Sequence, residues 1–73
     1  MIEWVGNLKD DCRAEWEGLY LHAEEMDRNN WWWAVSDEKH EQIASSNDGE
    51  EIYRNGKSAR FAAENAAREH INI

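Results

Sequence analysis

Three consecutive tryptophans, Trp31, Trp32 and Trp33, followed by Ala34 and Val35, restrict this fold more than any other feature of the chain. Aromatic and β-branched residues favour extended backbone, so the run WWWAVSD (31–37) reads as a central strand. Side chains alternate along a strand. Trp31 and Trp33 therefore share a face with Val35 and are expected in the core, while Trp32 points the other way. Trp32 is then either covered by the N-terminal segment or half exposed. An exposed tryptophan beside acidic residues is a typical interface anchor.

The natural cover for the first face lies at the other end of the chain. From Asn55 or Ser58 to about His70 the sequence is rich in helix formers, and Ala59, Ala62, Ala63, Ala66 and Ala67 form one stripe at helical spacing. A thin alanine face lets a helix approach bulky partners closely. Asn55-Gly56 supplies turn chemistry upstream, and Ser58 is a candidate cap. Phe61 falls roughly opposite the stripe. Its preferred placement is under the N-terminal strand around Trp4, making the helix two-sided. The alternative is exposure beside Arg60 and Arg68.

Between these elements, EQIASSN (41–47) reads as a second strand, joined to the tryptophan strand through Glu38-Lys39-His40 and closed by Asn47-Asp48-Gly49. Residues 10–26 admit two readings. A helix would align Cys12, Trp16, Leu19, Ala23 and Met26. A strand pair would alternate Cys12, Ala14 and Trp16, then Leu19, Leu21 and Ala23, around Gly18. Glycine costs a helix interior about 1 kcal/mol but marks a bulge or bend in a strand, so strand is preferred. Asp27-Arg28-Asn29-Asn30 turns into the tryptophan strand, and residues 2–8 add a short edge strand. The expected architecture is α+β: a small antiparallel sheet of three to four strands with one C-terminal alanine-rich helix packed on one face, a single domain over residues 1–73. A chain this short buries only about 60% of its unfolded surface. The five tryptophans, each removing roughly 150–250 Å² when buried, supply the needed area.

Charge narrows the function. Residues 1–48 carry twelve carboxylates against four Lys/Arg, whereas residues 49–73 carry four of each. With all five tryptophans in the acidic part, it reads as a folded surface and not as a disordered tail. Glu15, Glu17 and Glu24 are expected on the sheet face opposite Trp16 and Leu21, and Asp27, Asp37, Glu38, Glu41 and Asp48 near the hairpin ends, with Glu25 a further candidate contact. Tyr20 and Trp32 are the candidate aromatic anchors. Stacked bases on tryptophan would require a basic groove, so direct nucleic-acid binding is not expected. Cys12, His22, His40 and His70 lack short ligand spacing, and Glu24-Glu25-Asp27 and Glu50-Glu51 lack a calcium-loop pattern. No catalytic constellation is visible. No cofactor, metal or enzymatic activity is expected. A lone cysteine, no apolar run of membrane-spanning length and no signal-peptide pattern point to a soluble cytoplasmic protein, monomer or homodimer.

With W-W-W-A-V (31–35), I-A-S-S (43–46) and G-K-S-A-R-F-A-A-E-N-A-A-R-E-H (56–70), the chain resembles the small acidic orphan proteins of bacteriophages and mobile elements over roughly residues 18–70. Anti-CRISPR proteins that imitate DNA are among them. The resemblance implies an inhibitor in the host bacterial cytoplasm that blocks DNA access to a basic nucleic-acid-binding protein, such as a type I CRISPR effector complex. Lys57, Arg60 and Arg68 depart from a uniformly acidic mimic and would confine mimicry to the sheet and hairpins. The alternative is a small adaptor or antitoxin-like module that binds through exposed aromatics.

Overall fold

The computed structural model describes residues 2–28, 30–46 and 53–71. Five strands, β1 (Val5–Gly6), β2 (Asp11–Trp16), β3 (Leu19–Asp27), β4 (Asn30–Ser36) and β5 (Gln42–Ser45), precede one helix, α1 (Gly56–Ile71). The sheet is antiparallel throughout, and its spatial order is the chain order. The architecture is the expected α+β, with five strands where three to four were anticipated. The short edge strand expected within residues 2–8 is present as β1, and the extra count comes from Gly18. That glycine is no bulge or bend within one strand but half of a complete reversal. Trp16 pairs with Leu19, and Glu17 and Gly18 both have positive φ, 51° and 79°. Two such residues make the type I′ turn, whose twist matches that of the flanking strands.

Alternation then divides the sheet. Cys12, Ala14, Leu19, Leu21, Ala23, Trp31, Trp33 and Val35 point to one side and are buried there with Ile2 beneath Ala59, Ala63 and Ala67 of α1. Ala62 and Ala66 flank this seam, half-buried. Alanines seat the helix close to the sheet, and the tryptophans fill the space around it. Leu21, only 1% exposed, stabilises the fold by about 1.5–3 kcal/mol through burial alone.

Several local bonds fix the helix. Asn55, not Ser58, is the cap: its Oδ1 accepts the Ser58 N–H at 2.8 Å, satisfying one of the orphan donors of the first turn. Arg60 donates to the Leu8 carbonyl at 2.9 Å. The Trp4 indole N–H donates to Glu64 at 2.8 Å, tying the N-terminal segment to α1. Phe61 does not pack under that segment. Lying opposite the buried alanines, it is 61% exposed. The expected turns at Asp27-Arg28-Asn29-Asn30 and Asn47-Asp48-Gly49, and the pair Glu50-Glu51, fall partly or wholly outside the described residues. No described helix is long and apolar enough to cross a membrane.

Candidate protein-binding face

No described helix packs on the second side of the sheet. The strand register arranges its side chains in three cross-strand rows. The central row runs Val5, Arg13, His22, Ala34, Ser45, and its last two members, Ala34 and Ser45, are buried. One neighbouring row is Glu15, Tyr20, Ser36, Gln42, and the other is Asp11, Glu24, Trp32. Successive rows lie two residues apart along each strand, so the outer rows are separated by roughly 13 Å.

Aromatic rings and carboxylates alternate across this face. Tyr20 stacks on His40 with ring centroids 5.0 Å apart. His22 meets the Trp32 ring edge-on at 5.6 Å and sits with Nε2 2.7 Å from an Asp11 carboxylate oxygen. Asp11 and Glu24 are directly opposed, a pairing that repels; the His22 contact to Asp11 offsets part of that repulsion. Trp32 is half-buried, bordered by His22 and not covered by the N-terminal segment, which packs on the helix side. Arg13 is the one Lys/Arg in these rows, and no ion pair engages it among the described residues. A half-open groove of about 450 Å³ runs between Glu3, Val5, Arg13, Glu15, Tyr20 and His22.

The acidic residues expected to cluster divide into groups. Glu15 and Glu24 share the open face, four residues apart in the ladder. Glu17 does not join them, because the β2–β3 turn takes it off the strand. It joins the β4–β5 turn instead: the Glu38 carboxylate lies against Gly18, and Glu15, Glu17 and Glu38 line one shallow concavity of about 500 Å³ with Tyr20. Asp37 organises the same turn. Its Oδ1 accepts the backbone N–H groups of Glu41 and Lys39, and these bonds, that from Glu41 first, hold its carboxyl below the ordinary aspartate range. Asp27 belongs to the opposite end of the sheet, at the turn into β4. Glu25 follows the alternation of Ala23 and opposes Trp31, which places it on the helix side at the sheet margin. Asp48 lies outside the described residues.

Two features escaped sequence reasoning. The histidines were weighed only as metal ligands, yet His22 and His40 are ring partners of Trp32 and Tyr20. Strict alternation from Tyr20 carries the signal for His22. Among the described residues no three His, Cys, Asp or Glu side chains converge as a metal site. Cys12 is buried, donates to the Ala23 carbonyl at 3.6 Å, and has its thiol pKa raised by burial. Compared with known proteins, the chain matches no family model, no curated protein sequence and no solved structure.

Proposed function

We propose that this chain is a non-enzymatic inhibitor that binds a basic, nucleic-acid-binding bacterial protein and occupies the place of DNA, as DNA-mimicking anti-CRISPR proteins do. The observation that carries this reading is the exposed part of the sheet's second side, on β2 and β3 and at Trp32. Tyr20, His22 and Trp32 form an aromatic centre, with Asp11 and Glu24 on one side and Glu15, Glu17 and Glu38 on the other. A rigid sheet holds these carboxylates at fixed separations, so lysines and arginines that normally hold phosphates can pair with them without ordering a flexible tail. Long-range attraction from a chain of net charge −8 speeds encounter and weakens with salt. The aromatic centre supplies the desolvated anchor that charge alone lacks.

The test is charge reversal at Glu15, Glu17 and Glu24, all exposed or half-exposed. Wild-type and Glu15→Lys/Glu17→Lys/Glu24→Lys proteins are used as bait in a bacterial lysate at low and high salt, with and without competing duplex DNA. The expected result is capture of a DNA-binding protein by the wild type alone, lost at high salt and displaced by DNA. Capture that survives in the folded triple variant, or that ignores both salt and DNA, overturns the proposal. Circular dichroism confirms that the variant folds.

A further inference from the structure

Both aromatic anchors of the acidic face are held by a histidine. His22 meets the Trp32 ring edge-on at 5.6 Å, and its Nε2 lies 2.7 Å from an Asp11 carboxylate oxygen. A carboxylate only accepts, so Nε2 carries the proton. His40 stacks on the Tyr20 ring with centroids 5.0 Å apart and planes 27° from parallel. We propose that these two imidazoles make the face a pH-dependent site, which holds a cationic partner while both are neutral and releases it once they are protonated. The inference rests on the reading of this face as the seat of a basic protein and adds its regulation.

The turn between β4 and β5 is built to deliver His40. Its φ is 63°, in the left-handed region that non-glycine residues seldom adopt. The His40 N–H donates to the Asp37 carbonyl at 2.9 Å, and Asp37 Oδ1 accepts from Lys39 and Glu41 at 2.8 and 3.0 Å. The turn so fixed sets the imidazole on a ring that a partner's guanidinium would otherwise use. Protonated, that imidazole is itself a cation on Tyr20, and an incoming cation must displace it against repulsion. Protonated His22 forms an ion pair with Asp11 and takes one carboxylate from the face. Both effects have the same sign. The surrounding charges leave it intact. His22 faces Asp11 and Arg13 on β2, Glu24 on its own strand and Glu3 across the groove, while β4 opposes it with Ala34. His40 shares its turn with Asp37, Glu38, Lys39 and Glu41. Glu15 and Glu17 line the concavity beside Tyr20, and His70 of α1 is near enough to act on the Asp37 charge. Histidine is the side chain that changes charge between about pH 5 and 8.

The probe is end-capped hexa-arginine, whose charge is constant over that range. It is titrated into the ¹⁵N-labelled full chain at about pH 7.5 and about pH 5.5 in low salt. The Trp32 indole N–H signal, assigned through Trp32→Phe, reports occupancy of the face. The wild type should bind about three- to tenfold more weakly at the lower pH, the effect of one or two unit charges about 7 Å away in a largely aqueous setting. His22→Gln, which keeps a donor for Asp11, combined with His40→Asn, which tolerates left-handed backbone, should abolish the difference while His70 remains. In the wild type itself, bound peptide should lower the titration midpoints of both imidazole ring signals. Equal wild-type affinities at the two pH values, a difference that persists in the folded double variant, or midpoints that the peptide leaves in place overturn the proposal. A peptide that never moves the Trp32 signal, or whose binding at the higher pH is unchanged by Glu15→Gln/Glu24→Gln, overturns the open-face reading and this one with it. Binding that needs those glutamates but ignores pH overturns this inference alone.

Discussion

Replacing Gly56 by alanine sets two magnitudes of opposite sign against each other. In an exposed helix, glycine to alanine stabilises by up to about 1 kcal/mol. At the first helical residue the gain is a fraction of that. Here a methyl group at Gly56 would meet the Trp31 ring at 2.8 Å, the Arg60 guanidinium at 2.8 Å and the Leu8 carbonyl at 3.0 Å. Arg60 can swing away only by leaving its bond to Leu8. Trp31, 6% exposed, is held by the core and by its backbone bond to Tyr53. Overpacking of this kind costs about 1–3 kcal/mol. The clash wins, and Gly56→Ala should destabilise the domain by roughly 1–2 kcal/mol, lowering Tm by about 4–8 °C for each kcal/mol. Urea denaturation followed by tryptophan fluorescence measures the loss. A double-mutant cycle with Trp31→Phe, which removes the clashing part of the indole, should give a coupling energy of about 1 kcal/mol. A more stable Gly56→Ala protein, or strictly additive losses in the cycle, refutes the reasoning.

Three further outcomes are expected. The Asp37 carboxyl titrates below its ordinary value because the Glu41 and Lys39 N–H groups bond its charged form. Its contribution to stability is therefore complete above the unfolded-state value of about 3.9 and disappears as pH falls through the lower folded value. Asp37→Ala should flatten the acid limb of a stability–pH curve below about pH 4, and an unchanged limb contradicts this. Cys12, whose thiol burial pushes up, should resist alkylation at pH 8 in folded protein and react at once in denaturant; fast labelling of the native state contradicts its placement. Trp4→Phe deletes the bond to the half-buried Glu64 and should cost about 1.5–3 kcal/mol, the range for a bond to a charged acceptor. Glu64→Gln, which keeps an acceptor, should cost less, and equal losses would contradict that.

The core was legible because its two signals have different periods that agree on one place. Period two in Trp31, Trp33 and Val35 and the helical stripe of Ala59, Ala63 and Ala67 each name a buried face, and nothing else in so short a chain can cover either. The β2–β3 reversal was harder to read. Glu17-Gly18 has no Asn-Gly signature, and a glutamate at positive φ is a position local propensity argues against. The same turn removes Glu17 from the face where alternation had put it. Phe61 was misplaced by pairing it with Trp4, whose indole is committed to Glu64. The edge-to-face contact of Tyr53 with Trp33 depends on Tyr53 reaching β4 through an isolated bridge to Trp31, a contact between segments 22 residues apart that no local pattern announces. The rows of the open face follow from alternation once the register is known, and register is what a single sequence specifies least.

Because each strand pairs with the one before it, the sheet demands no long-range search. Hairpins close in microseconds, and a meander can grow strand by strand in the order the ribosome delivers it, its apolar side awaiting the last element. Docking of α1 and the Tyr53 bridge to Trp31 do require distant partners. Topology of this kind places folding among the faster α+β domains.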